Sequence, residues 1–105
     1  MNSELLKELT NTLLEGLTVY SVRSFNNGVS AYLTYNNKTV HLDFFLQDDL
    51  VLRVNMIKSY MPSAFFNLSD PLSKRLFRRW LKENYSKKVF PQTIFQGLFK
   101  KKEKA

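Results

Sequence analysis

Three turn signals between residues 27 and 49 agree on one pairing of the strands around them, and that agreement constrains this chain more than any other feature. Asn27-Gly28 is a favoured two-residue hairpin loop, since both residue types accept the positive φ such a loop needs. As a loop it sets Val22 opposite Leu33, Ser24 opposite Ala31 and Tyr20 opposite Tyr35. Asn36-Asn37 makes a second loop and sets Leu33 opposite Val40 and Ala31 opposite Leu42. A three-residue loop of Gln47, Asp48 and Asp49 sets Phe44 against Leu52, Leu42 against Val54, and Asp43 against Arg53, an opposite-charge pair. A one-residue slip would turn every apolar side chain outward. The turns therefore predict a four-stranded antiparallel meander. Its core face runs from Tyr20, Val22, Ala31, Leu33 and Tyr35 through Val40, Leu42, Phe44 and Leu46 to Leu50, Leu52, Val54 and Met56. The opposite face carries Arg23, Phe25, Tyr32, His41, Asp43, Phe45, Arg53, Asn55 and Ile57.

A period near 3.6 replaces the period of two on either side of the meander. Leu5, Leu6, Leu9, Leu13 and Leu17 recur at helical spacing after Ser3, a candidate cap, and Gly16 supplies a stop, so a helix is predicted from about Glu4 to Glu15. Asp70-Pro71 reads as a cap followed by proline at the first helical position, and the pattern continues to about Tyr85. Between them, residues 58–69 form a connector expected to pack over an edge of the core, with one helical turn after Pro62. Pro91 opens a short amphipathic stretch containing Ile94, Phe95, Leu98 and Phe99. The class is α+β: an N-terminal helix, the meander, and a C-terminal basic amphipathic helix with a short helical or extended tail. Residues 1–99 read as one domain and residues 100–105 as a basic disordered tail.

No cysteine is present among the 105 residues, which excludes a disulfide framework and any thiolate site. No secretory signal or membrane-spanning run is apparent, and the chain is expected to be cytoplasmic or nuclear. The net charge of +7 is unevenly spread: residues 1–73 sum to −2 and residues 74–105 to +9. That asymmetry favours a polyanionic partner.

On a helical wheel the second helix separates Leu72, Leu76, Phe77, Trp80 and Leu81 from Lys74, Arg75, Arg78, Arg79 and Lys82. No acid interrupts the cations before Glu83, so a polyanion would relieve their mutual repulsion. Lys87 and Lys88 prolong the basic face, and Lys100, Lys101, Lys102 and Lys104 could reach a phosphate backbone. A second candidate surface is the outer sheet face, where the derived register puts Arg23, Tyr32, His41 and Asn55 in one row with Phe25 and Phe45 beside it. The alternative for that face is cover by Phe90 to Phe99.

His41, the single histidine, stands two residues from Asp43 on the same strand face. With Asp43 committed to Arg53 and no nucleophile in context, the pair is not read as catalytic, and one His with one Asp is too few donors for a metal. No cofactor is expected. The order helix, meander, helix is shared with small nucleic-acid-binding folds such as the double-stranded-RNA-binding domain. Asp70, Pro71, Leu72 and Ser73 do not match that family's lysine cluster at the start of its last helix, and no family is assigned. The function expected from sequence is a non-enzymatic nucleic-acid-binding domain. The alternative is a small protein-interaction module that docks on an acidic protein surface or forms a homodimer.

Overall fold

The computed structural model describes residues 3–57 and 62–86. The elements follow in the order α1 (Ser3–Leu14), β1 (Thr18–Phe25), β2 (Gly28–Tyr35), β3 (Lys38–Asp48), β4 (Val51–Met56), β5 (Ala64–Asn67) and α2 (Ser73–Asn84). The strands form one antiparallel sheet in sequence order, β1-β2-β3-β4-β5. The fifth strand corrects the expected helical turn after Pro62. Proline cannot donate to a ladder, so pairing starts two residues later, and Ala64 to Asn67 pair with Val54 to Val51. Period two then puts Phe66 in the core, 6% exposed, and Phe65 outside at 55%.

The central hairpin matches the predicted register: Leu33 lies opposite Val40, Ala31 opposite Leu42, and Asn36 and Asn37 both adopt positive φ. The two flanking hairpins are each shifted by two residues, which preserves the faces and changes the partners. Between β1 and β2 the loop is Asn26-Asn27, so Gly28 opposes Phe25, Val29 opposes Ser24, and Val22 opposes Ala31. Gly28 serves close packing here and not the turn. A Cβ at this position would lie 2.6 Å from Phe25 Cζ and 2.8 Å from Phe45 Cε1, so only glycine lets those two rings close over the strand.

Between β3 and β4 a bulge at Gln47 makes Asp49-Leu50 the loop, which leaves Leu50 38% exposed instead of in the core. Phe44 then opposes Val54, Asp43 opposes Asn55 and Arg53 opposes Phe45, so the predicted Asp43–Arg53 pair does not form. A second bulge between Val19 and Ser21 turns Tyr20 outward, 63% exposed, where it accepts a hydrogen bond from the Thr34 hydroxyl. Val19 and Val22 pack on the core in its place.

Both helices cover the same face of the sheet. Leu6, Leu13 and Leu14 of α1 and Phe77 and Leu81 of α2 join Val29, Ala31, Leu33, Val40, Leu42, Phe44, Leu52, Val54 and Met56 in one buried cluster. Ser3 is itself helical in α1 and so is not its cap, and Gly16 at φ +84° ends the helix as expected. Thr10 of α1 is fully buried, with no described hydrogen-bond partner for its hydroxyl. α2 begins two residues after Pro71. Asp70 uses Oδ1 to accept from the Leu72 amide and its carbonyl to accept from Ser73, forming a turn that leads into the helix. The buried seam of α2 is Ser73, Phe77, Leu81 and Asn84, with Trp80 half-buried against Phe66 and Phe77. Leu72 and Leu76, expected in the core, are 50% and 46% exposed.

Candidate functional site

At 100° per residue the seam Ser73–Phe77–Leu81 directs the opposite side of α2 into solvent, with Arg75 and Arg79 nearest the centre of that arc and Lys82 beside them. Arg75, Arg78, Arg79 and Lys82 are all exposed. They are not equally available. Lys74 forms an ion pair with Glu15, and Arg78 donates to the Glu15 main-chain carbonyl, so both reach the C-terminal end of α1, where a helix carries partial negative charge. The Lys74 ammonium, through its hydrogen bond and its charge, lowers the Glu15 carboxyl below its ordinary value of 4.5. Arg79 reaches Glu83 one turn on, at 3.4 Å. Arg75 and Lys82 have no ion-pair or hydrogen-bond partner among the described residues. The arc is thus less uniform than its sequence suggests: Glu15, brought in by the tertiary fold, engages one flank, and Leu72 and Leu76 line the other. Lys87 and Lys88, the lysines of 100–104 and the segment Phe90 to Phe99 lie outside the described residues.

The described residues carry nine basic and eight acidic side chains, net +1. The chain after Ser86 adds six lysines against Glu103.

The sheet face opposite the helices carries no covering element among the described residues. Its residues fall into rows set by the observed register, and the expected row of Arg23, Tyr32, His41 and Asn55 divides between two of them. One row is Arg23, Ser30, Asp43 and Asn55, and its neighbour is Ser21, Tyr32 and His41. A third row crosses all five strands as Phe25, Gly28, Phe45, Arg53 and Phe65. Phe25 meets Phe45 edge to face with centroids 5.8 Å apart, and the Arg53 guanidinium lies 4.4 Å from the Phe45 centroid. Tyr32 and His41 stack at 4.1 Å and 16°. Arg23, Ser24, Phe25, Ser30, His41 and Asp43 surround a shallow hollow of about 380 Å³.

His41 does bring a hydroxyl and a carboxylate together. Ser30 Oγ lies 2.6 Å from His41 Nε2, and Asp43 Oδ1 lies 3.3 Å from the same nitrogen. A nucleophilic relay needs the two partners on different ring nitrogens, one to take the proton and one to hold the tautomer. With both on Nε2, the trio forms a polar floor to the hollow. No group of three or more His, Cys, Asp or Glu side chains suited to a metal occurs among the described residues. No helix among them is long and apolar enough to cross a membrane. Sequence reading missed Phe65 as an outer-face residue, although the alternation through Ala64, Phe65, Phe66 and Asn67 carries the signal. No protein-family model, curated protein or solved structure matches this chain.

Proposed function

We propose that this protein is a non-enzymatic nucleic-acid-binding domain that contacts phosphates through the solvent arc of α2. The observation that supports it is the exposure of Arg75, Arg78, Arg79 and Lys82 on a helix whose Phe77 and Leu81 are fully buried. The core fixes the helix rotation, so the cations are directed outward before any partner binds. Arginine's planar fork suits phosphate oxygens, and each phosphate neutralised releases counterions. The test is binding to an oligonucleotide at several salt concentrations, with wild type and the pair Arg75→Glu and Lys82→Glu. These two side chains hold no described partner, so their reversal leaves the fold intact. Wild type should show a steep log-log salt dependence, about 0.7 to 0.9 per phosphate contact, and the reversed pair should lose binding. A flat salt response or undiminished binding by the pair contradicts the reading.

A second reading is favoured by Leu72 and Leu76, whose exposure makes one flank of the arc apolar. An arc both cationic and apolar also suits an acidic, amphipathic protein surface. Capture of partners that survives nuclease treatment, and is lost in Leu76→Ser with oligonucleotide binding retained, would favour that reading over the first.

A further inference from the structure

We propose that the outer face of the sheet is a stacking platform for the bases of single-stranded nucleic acid, which rests on the nucleic-acid reading above and adds the class of strand bound. Three observations converge on it. Phe25, Tyr32 and Phe65 are 41%, 43% and 55% exposed on one face, and no helix or strand among the described residues lies over them, although one face of the Tyr32 ring stacks on His41. Ring faces of this kind accept any base, but only one that is unstacked and unpaired.

Second, the row is built and not incidental. Gly28 sits beneath the Phe25 and Phe45 rings, where a side chain would displace both, and the Arg53 guanidinium lies over the Phe45 ring, 4.4 Å from its centroid. A guanidinium over a ring can itself stack on a base, and its charge serves the backbone linking successive bases. Phe45 and Phe65 stand two strand spacings apart, about 10 Å, with Arg53 between them.

Third, the hollow beside this row has the chemistry of a base subsite. It has an aromatic wall in Phe25, a cation in Arg23, and a floor where Asp43 accepts and Ser30 can donate or accept. The cations of this face sit at its aromatic positions: the Arg53 guanidinium lies over Phe45 and Arg23 lines the hollow beside Phe25, while Asp43 and Asp48 balance them in number, so recognition rests on stacking and not on net charge. The aliphatic side chains of the face, Val51 and Ile57, are only partly exposed, whereas its exposed large side chains are aromatic. β5 carries Phe65 outward while α2 packs against its inner side, so one strand passing over this edge can meet both surfaces.

The test is fluorescence anisotropy of the full chain with a labelled oligodeoxythymidylate and with a duplex of equal length. It compares wild type, Phe25→Ala with Phe65→Ala, and Phe25→Leu with Phe65→Leu. Wild type should prefer the single strand. Both variant pairs should bind it at least about thirtyfold more weakly, because two stacking contacts are lost and each is worth roughly fivefold or more, with an unchanged salt slope because no cation is removed. The leucine pair retains apolar bulk and decides the matter if the alanine pair is unstable. Unchanged single-strand binding by the leucine pair, or preference for duplex, overturns the platform and leaves the phosphate-binding reading standing. No binding by wild type to either probe at low salt overturns both.

Discussion

On one face of the sheet Ala31, Leu33, Leu42, Phe44, Leu52 and Val54 are fully buried beneath α1 and α2. One residue along, on the same strands and on β1 and β5, Phe25, Tyr32 and Phe65 retain roughly half of their surface in solvent. Both faces are rich in aromatic and aliphatic carbon, so hydrophobicity alone does not separate them. The helices do: α1 and α2 both pack on one face, and no element among the described residues lies on the other. Large exposed apolar patches on soluble proteins tend to mark interaction sites. This one holds its rings in an ordered row, with arginines between and beside them.

The largest expected effect tests whether the faces divide labour as described. Phe77→Ala removes a fully buried ring that packs on Phe44, Phe66 and Trp80, and should cost about 3 to 5 kcal/mol in urea denaturation. Phe65→Ala, removing the same ring from the outer face, should cost under about 1 kcal/mol. Equal losses would mean that the outer face is also core, and the comparison would fail.

A smaller effect is expected at Gly28, where the faces meet in one residue. Gly28 lies in β2 and is not among the positive-φ residues, so alanine brings steric conflict without backbone strain. Phe25 is partly exposed and can swing away, which holds the expected loss to about 1 kcal/mol. The Phe25–Phe45 edge contact should break all the same. Ring-proton chemical shifts would report that, and their persistence in Gly28→Ala would show that the row does not depend on the glycine.

How much of this was legible in sequence depended on whether a signal was local. Alternation assigned nearly every strand residue to its face, because a shift of two residues preserves side. It could not fix partners: Asn27-Gly28 carries the chemistry of a hairpin loop, but Gly28 is needed under two aromatic rings that only tertiary structure brings together. The separate shift at the Gln47 bulge removed Asp43 from Arg53, while the central hairpin, in its expected register, set it opposite Ser30 and two residues from His41. The cations of α2 were legible as a face, since spacing along one helix is local. Their engagement by Glu15 was not, because residues 59 and 63 positions apart meet only when α1 and α2 pack. The outward turn of Leu72 and Leu76 has the same origin, as the burial seam was set by Ser73 and Asn84, polar residues that a hydrophobic pattern passes over.

The smallest effect lies on the helix side. Glu15, fully exposed, has its carboxyl lowered from 4.5 by Lys74, so the contact stabilises the fold above that pH and the contribution fades as pH falls through the depressed value. Glu15→Gln should flatten the acid limb of melting temperature against pH only slightly, given solvent screening of so exposed a pair. A large loss at neutral pH would show that α1 and α2 depend on this contact, and the packing account of the covered face would need revision.

The central claim is that the uncovered sheet face binds while the covered face stabilises. The most direct measurement is an NMR titration of the full chain with oligodeoxythymidylate, following backbone amides and aromatic side chains together. The account predicts shifts at the rings of Phe25, Tyr32 and Phe65 and at the arginine side chains of α2, with Phe44 and Phe77 unmoved. Shifts confined to residues 87–105, with the outer-face rings unchanged, would contradict it.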